Sequence, residues 1–180
     1  MRFTSQMASL PPKQEPEQRL ALPLDLDELE CLYDRLDSEA PEAPMDSSKD
    51  NLSLLELLES EPKANSFLEQ VKKYDQLLKL LQSTANGEYT VFVPVDAGWT
   101  ENDKNQCDEA MVAMHISPHY FSTAALKDCP NLPTLLRTGV SKRKPVLQST
   151  FGPSGWWINC YNKIIKSNMM AQNGIAHFIQ

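Results

Sequence analysis

The sequence predicts an α+β domain over residues 50–180, preceded by a flexible acidic N-terminal segment over residues 1–49. Three observations carry this. Residues 1–50 hold 12 Asp or Glu against 5 Lys or Arg, whereas residues 51–180 hold 12 of each sign. The same first segment holds 6 of the 13 prolines and none of the 6 glycines, so composition changes abruptly near residue 50. Beyond it, leucine-rich stretches with helical spacing come first and β-rich runs follow. That order gives helices and sheet in separate blocks rather than alternating βαβ units.

Residues 1–19 are polar and carry prolines, a composition that builds no core. In residues 24–37, Leu24, Leu26, Leu29, Leu32, Tyr33 and Leu36 partly follow one helix face. Asp25, Asp27 and Glu28 stand near its start, where the helix dipole favours anions. This predicts a short amphipathic helix, which rests on its own domain, frays, or enters a partner's groove. Residues 38–50 read as a linker.

The domain opens with Leu52, Leu54, Leu55, Leu57 and Leu58 on a helix capped by Asp50 or Asn51, and Pro62 ends it or begins the next segment. Phe67, Leu68, Val71, Tyr74, Leu77, Leu78 and Leu81 predict a second helix over residues 65–83, with Lys72, Lys73 and Lys79 outward. Ala85-Asn86-Gly87 terminates it. Residues 89–93, closed by Pro94, form a strand. Residues 96–110 are polar loop with a helical turn, and residues 110–116 run from helix into strand. Short segments surround Pro130 and Pro133. Residues 146–151 and 156–165 form a hairpin across Gly152-Pro153-Ser154-Gly155. Met169, Met170 and Ala171 lead to a turn at Asn173-Gly174, and residues 175–179 make the last strand.

Several chemistries are excluded. A neutral domain behind an acidic segment lacks the basic face that nucleic acid requires, and the Lys142-Arg143-Lys144 run is short. No stretch approaches the ~20 apolar residues of a membrane span. Cys31, Cys107, Cys129 and Cys160 form no CxxC pair and read as buried or half-buried thiols, neither a disulfide framework nor a zinc site. The GxGxxG, GxxxxGK, HExxH and GxSxG patterns are absent, so neither a catalytic residue nor a cofactor is expected. His115 and His119 have i, i+4 spacing, but Pro118 opposes a helix presenting both, and no metal site is expected. His115 and His177 read as structural histidines, each holding a hydrogen bond inside the fold.

The stretch Thr90 to Trp99, TVFVPVDAGW, resembles the first signature box of fasciclin-like domains, with Thr90, Val91, Phe92 and Pro94 in place and Asp96 at the usual Asn or Asp position. Asn173-Gly174-Ile175-Ala176-His177-Phe178-Ile179-Gln180 is similar to the second box. Between them, His115 resembles the histidine of the family's Tyr-His pair, Leu132-Pro133-Thr134-Leu135-Leu136 its L-x-T-L turn, and Ile158-Asn159 with Ile164-Ile165 its penultimate hairpin. Order and spacing over about 130 residues make the match specific, since the separate boxes are weak. The resemblance implies a compact wedge of β-strands with packed helices. It also implies a non-enzymatic adhesion or binding module acting through protein–protein or protein–glycan contacts. Met114 replaces the Tyr of the pair, which family members use toward integrins, and Gln180 replaces an acidic residue.

The candidate binding surface comprises His115, Trp156, Trp157, Lys142, Arg143 and Lys144. In a strand one of the two tryptophans faces the core and the other lies outside, where an exposed Trp near the basic run would anchor a partner. Asn51-Leu52-Ser53 fits the N-glycosylation pattern. As written, the N-terminus has no apolar leader, so a cytoplasmic location is expected; a mis-assigned start makes the protein vacuolar or secreted. Two alternatives accompany the binding module. One is an intracellular adaptor using the acidic helix. The other, from the likeness to fungal fasciclin-like proteins, is an accessory to an oxidative biosynthetic pathway, which requires an apolar pocket.

Overall fold

The computed structural model describes residues 43–85, 88–136 and 145–180. The helix expected at residues 24–37 lies outside them.

Helix α1, Leu54–Glu59, begins two residues later than expected because Ser53 outcompetes Asp50 and Asn51 as the cap. The Ser53 hydroxyl accepts from the Glu56 N–H at 3.3 Å, and the Glu56 carboxylate accepts from the Ser53 N–H at 2.8 Å. Pro62 opens a 3-10 turn, Pro62–Ala64. The expected second helix is two helices, α2 Asn65–Val71 and α3 Asp75–Gln82. Tyr74 breaks it in an extended conformation, φ −121° and ψ 99°, and its hydroxyl donates to the Cys107 carbonyl at 3.2 Å. The break turns Leu77 and Leu81 of α3 into the same core as Phe67, Leu68 and Val71 of α2. Helix α2 has no side-chain cap of its own. Asp96 supplies one from 30 residues away, its carboxylate accepting from the Ser66 N–H at 2.7 Å.

The strands are β1 Tyr89–Pro94, β2 Ile116–Ser117, β3 Asn131–Pro133, β4 Val146–Gly152, β5 Gly155–Ile158, β6 Asn162–Ala171 and β7 Gly174–Ile179. They form one sheet in the order β2-β1-β7-β6-β5-β4-β3. Helices α4 Glu101–Gln106 and α5 Glu109–Met114 fill the connection from β1 to β2, and α6 Thr123–Asp128 that from β2 to β3. Both edge strands are very short, which leaves little unpaired backbone to template aggregation. The expected hairpin arm over residues 156–165 is split into β5 and β6. Asn159 and Cys160 take left-handed conformations, φ 53° and 64°, and turn the chain between them. Asn tolerates that region better than most residues, and Asn159 is tied across to Gln148 by its backbone and side chain.

Strand β7 is central and buried on both faces. It runs parallel to β1, with Val91 opposite Ala176 and Phe92 opposite His177, and antiparallel to β6. Ala176 and Phe178 join Val91, Val93 and the leucines of α1–α3 in one core. On the other face Ile179 and Phe92 meet Phe121, Leu126, Trp156 and Ile158. A strand buried on both faces reads as an unbroken apolar run, which GIAHFI is apart from its histidine.

The turn before β7 organises the helices. Asn173 is fully buried. Its Oδ1 accepts from the Leu54 N–H at 2.7 Å, at the start of α1 and 119 residues away. Its amide donates to the Leu81 and Ser83 carbonyls at 2.9 and 3.1 Å, at the end of α3. Gly174 follows at φ 152°, where an added Cβ would lie 2.0 Å from the Tyr89 carbonyl oxygen.

A second buried network fixes the far side of β6. His177 donates through Nε2 to the Phe121 carbonyl at 2.7 Å, and its Nδ1 accepts from the Asn168 N–H at 3.3 Å. The two partners select the neutral Nε2–H tautomer. Asn168, left-handed at φ 57°, binds Thr123 through both side-chain atoms and donates to the Ala43 carbonyl at 2.7 Å. Asp46 then pairs with β6 through its N–H to the Asn168 carbonyl and its carbonyl to the Met170 N–H. Part of the expected linker is therefore docked along β6. His115 is held similarly: its Nδ1 donates to the Phe92 carbonyl at 3.1 Å, and its own carbonyl accepts from the Phe92 N–H. Burial lowers the pKa of both rings from the ordinary 6.5 to about 4.

Two outcomes are expected. Gly174→Ala forces backbone apart and Asn173→Ala strands buried partners at α1 and α3; each lowers unfolding free energy by about 3 kcal/mol or more, read from urea midpoints. Below pH 6.5 the unfolded chain binds protons that the folded histidines refuse. Stability present above pH 6.5 is therefore lost as the pH falls toward 4, by about 2 kcal/mol per histidine at pH 5. Urea titrations between pH 7 and 4.5 check this, with His115→Gln expected to halve the slope.

Candidate functional site

The sequence-derived surface does not assemble as one patch among the described residues. Trp156 is buried in the second core, its ring against Phe151 at 5.3 Å, and so leaves the candidate surface. Trp157 is half-buried on the opposite face, beside Thr150 and Lys163 in the ladder. This is the division that the pleat dictates. The His115 ring is turned to β1 and packs edge-on against Phe67 at 5.7 Å, so its polar atom toward β1 is already engaged. Lys142, Arg143 and Lys144 lie outside the described residues. Asn51 is exposed in the turn before α1, and the third residue of its pattern, Ser53, is the buried cap of that helix.

The three described cysteines differ. Cys107 and Cys129 are free, half-buried thiols, whereas Cys160, expected as a thiol, is disulfide-bonded. Burial raises the Cys107 pKa, opposite to the activation a nucleophile needs. Among the described residues, no cluster of His, Cys, Asp and Glu side chains is grouped as a metal ion requires, and no helix is long and apolar enough to cross a membrane.

Sequence reading missed a surface groove of about 560 Å³ between α3 and α5. Leu77, Leu80, Ala110, Ala113, Leu135 and Leu136 make its apolar walls. Gln76, Asp108 and Glu109, all exposed, make its polar rim. Gln76, Leu77 and Leu80 enter the groove from α3, and Asp108, Glu109, Ala110 and Ala113 from the start of α5. Asp108 is placed by its task as N-cap of α5, accepting from the Met111 N–H at 2.8 Å. Leu80, Leu135 and Leu136 stay half-buried, so this face keeps apolar surface in contact with water. The signal was present as leucines on too many sides of α3: Leu77 and Leu81 are buried in the core, whereas Leu80 packs against it half-buried.

The family model of the fasciclin domain matches residues 62–180. Among solved structures, the FAS1 domain pair from the insect cell adhesion molecule fasciclin I superimposes with a TM-score of 0.53 at 19% identity. The alignment covers 72% of this chain and 50% of that one, so the chain spans half the length of the domain pair. At that identity the likeness establishes the fold. No curated protein matches. With the α+β wedge, the paired signature strands and the family match in agreement, the chain belongs to the fasciclin domain family.

Proposed function

We propose that the domain is a non-enzymatic binding module that meets a protein partner through its surface. Family membership carries this reading. The disposition of the polar interior supports it: His115, His177, Asn168 and Asn173 are engaged in bonds that hold elements together. The open groove between α3 and α5 offers the apolar contact area that such a module uses. The groove is rimmed by carboxylates and open to solvent, which favours a protein segment over the small apolar ligand of an oxidative pathway.

A second reading, an adaptor that recruits through residues 24–37, is favoured by the anchoring of Ala43 and Asp46 to β6. Ala43 and Asp46 follow closely on that acidic stretch in the chain. Proximity labelling with the full chain separates the two when Asp25, Asp27, Glu28 and Asp34 are replaced by their amides. An unchanged partner set is expected for the domain reading; loss of that set moves the function to the acidic segment. A glycosidase mobility shift on the same sample tests Asn51. A shift places the module where a glycan or lumenal partner is available, and an unshifted band is the result expected for a cytoplasmic protein.

A further inference from the structure

The groove between α3 and α5 has walls and a rim of different chemistry, and the inference here rests on the binding-module reading. Its walls are leucine and alanine side chains, with Leu80, Leu135 and Leu136 still half exposed. Among the described residues its charged rim is acidic: Asp108 and Glu109 are exposed, and neither forms an ion pair with another described residue. Among the described residues, three acidic groups are matched, Glu59 and Glu61 by lysines and Glu101 by Lys104. Lys73, whose charge acts on the neighbouring Cys107, is turned to the Gln70 side chain at 2.7 Å. The carboxylates lie near Tyr74: after burial and the Cys107 thiolate, Asp108 and Glu109 hold its hydroxyl above the usual range.

We propose that this groove takes an apolar segment of a protein partner that carries Lys or Arg. Its aliphatic side chains cover Leu80, Leu135 and Leu136, and its cation reaches Asp108 and Glu109. Apolar cover supplies the attraction, and the carboxylates select the sign. The same sign disfavours residues 24–37 of this chain as occupant, since their leucines alternate with Asp and Glu.

Fluorescence anisotropy with the full chain tests this. The probes are two labelled synthetic helical peptides with one leucine pattern, bearing lysines or glutamates at the remaining positions. The lysine peptide is expected to bind and the glutamate peptide not to. Asp108→Asn with Glu109→Gln, which keeps the helix cap, should weaken the lysine peptide by about tenfold. Leu80→Lys, at a half-exposed position, should abolish binding with the circular dichroism spectrum unchanged. Equal binding of both peptides overturns the proposal. So does lysine-peptide binding that ignores all three substitutions, which assigns cation capture to the acidic residues 1–49. Failure of both peptides to bind also overturns it, while an intact partner set in proximity labelling leaves the binding-module reading standing.

Discussion

From the turn into β7, the Asn173 side chain saturates backbone groups at the start of α1 and the end of α3 at once. Each of these groups is an orphan of a helix terminus, and burying it without a partner would cost about 1–3 kcal/mol. One amide therefore couples the helical layer to the sheet. Gly174 beside it lets the chain pass against the Tyr89 carbonyl, a space too narrow for any side chain. Together they fix where β7 enters, and β7 fixes the register of β1 and β6 on either side. The core on each face of the sheet follows from that register, since a one-residue slip would exchange Phe178 and Ile179 between cores.

His177, fully buried, and His115, half-buried, show how the fold uses polar groups inside. Each is neutral, each bridges a carbonyl on another segment, and each sits against an aromatic ring. Their chemistry is spent on geometry: His115 ties α5 to β1, and His177 ties β7 to the loop before α6. What remains for recognition is the surface, where leucines and carboxylates line one groove. Among the described residues, Ser117 Oγ and Trp156 Nε1 are the buried side-chain polar atoms left without a partner, while the groove keeps apolar surface in contact with water.

Much of this was legible from residue patterns. The β1 strand announces itself as β-rich residues closed by Pro94, and β7 as an apolar run launched from Asn173-Gly174. The helical leucines were equally plain. The single long helix over residues 65–83 was an error because spacing alone does not register a change of direction: leucines continue on both sides of Tyr74. Remote capping is also invisible to a local reading, as Asp96 reaching Ser66 and Asn173 reaching Leu54 demonstrate. For the site, the alternation rule divided Trp156 from Trp157, but the groove depends on three segments that only the tertiary fold brings together.

Strand β7 follows every other described strand in sequence yet lies in the middle of the sheet. During vectorial synthesis, β1 emerges early with apolar faces and an open hydrogen-bonding edge, and its partner arrives only after the whole intervening chain. Such long-range closure slows folding and lengthens the interval in which a sticky intermediate stands exposed. A nascent chain of this design is thus a natural client for chaperone shielding. A message interrupted between Asp128 and Gly174 would yield a product with every described helical segment but no strand to join the two halves of its sheet.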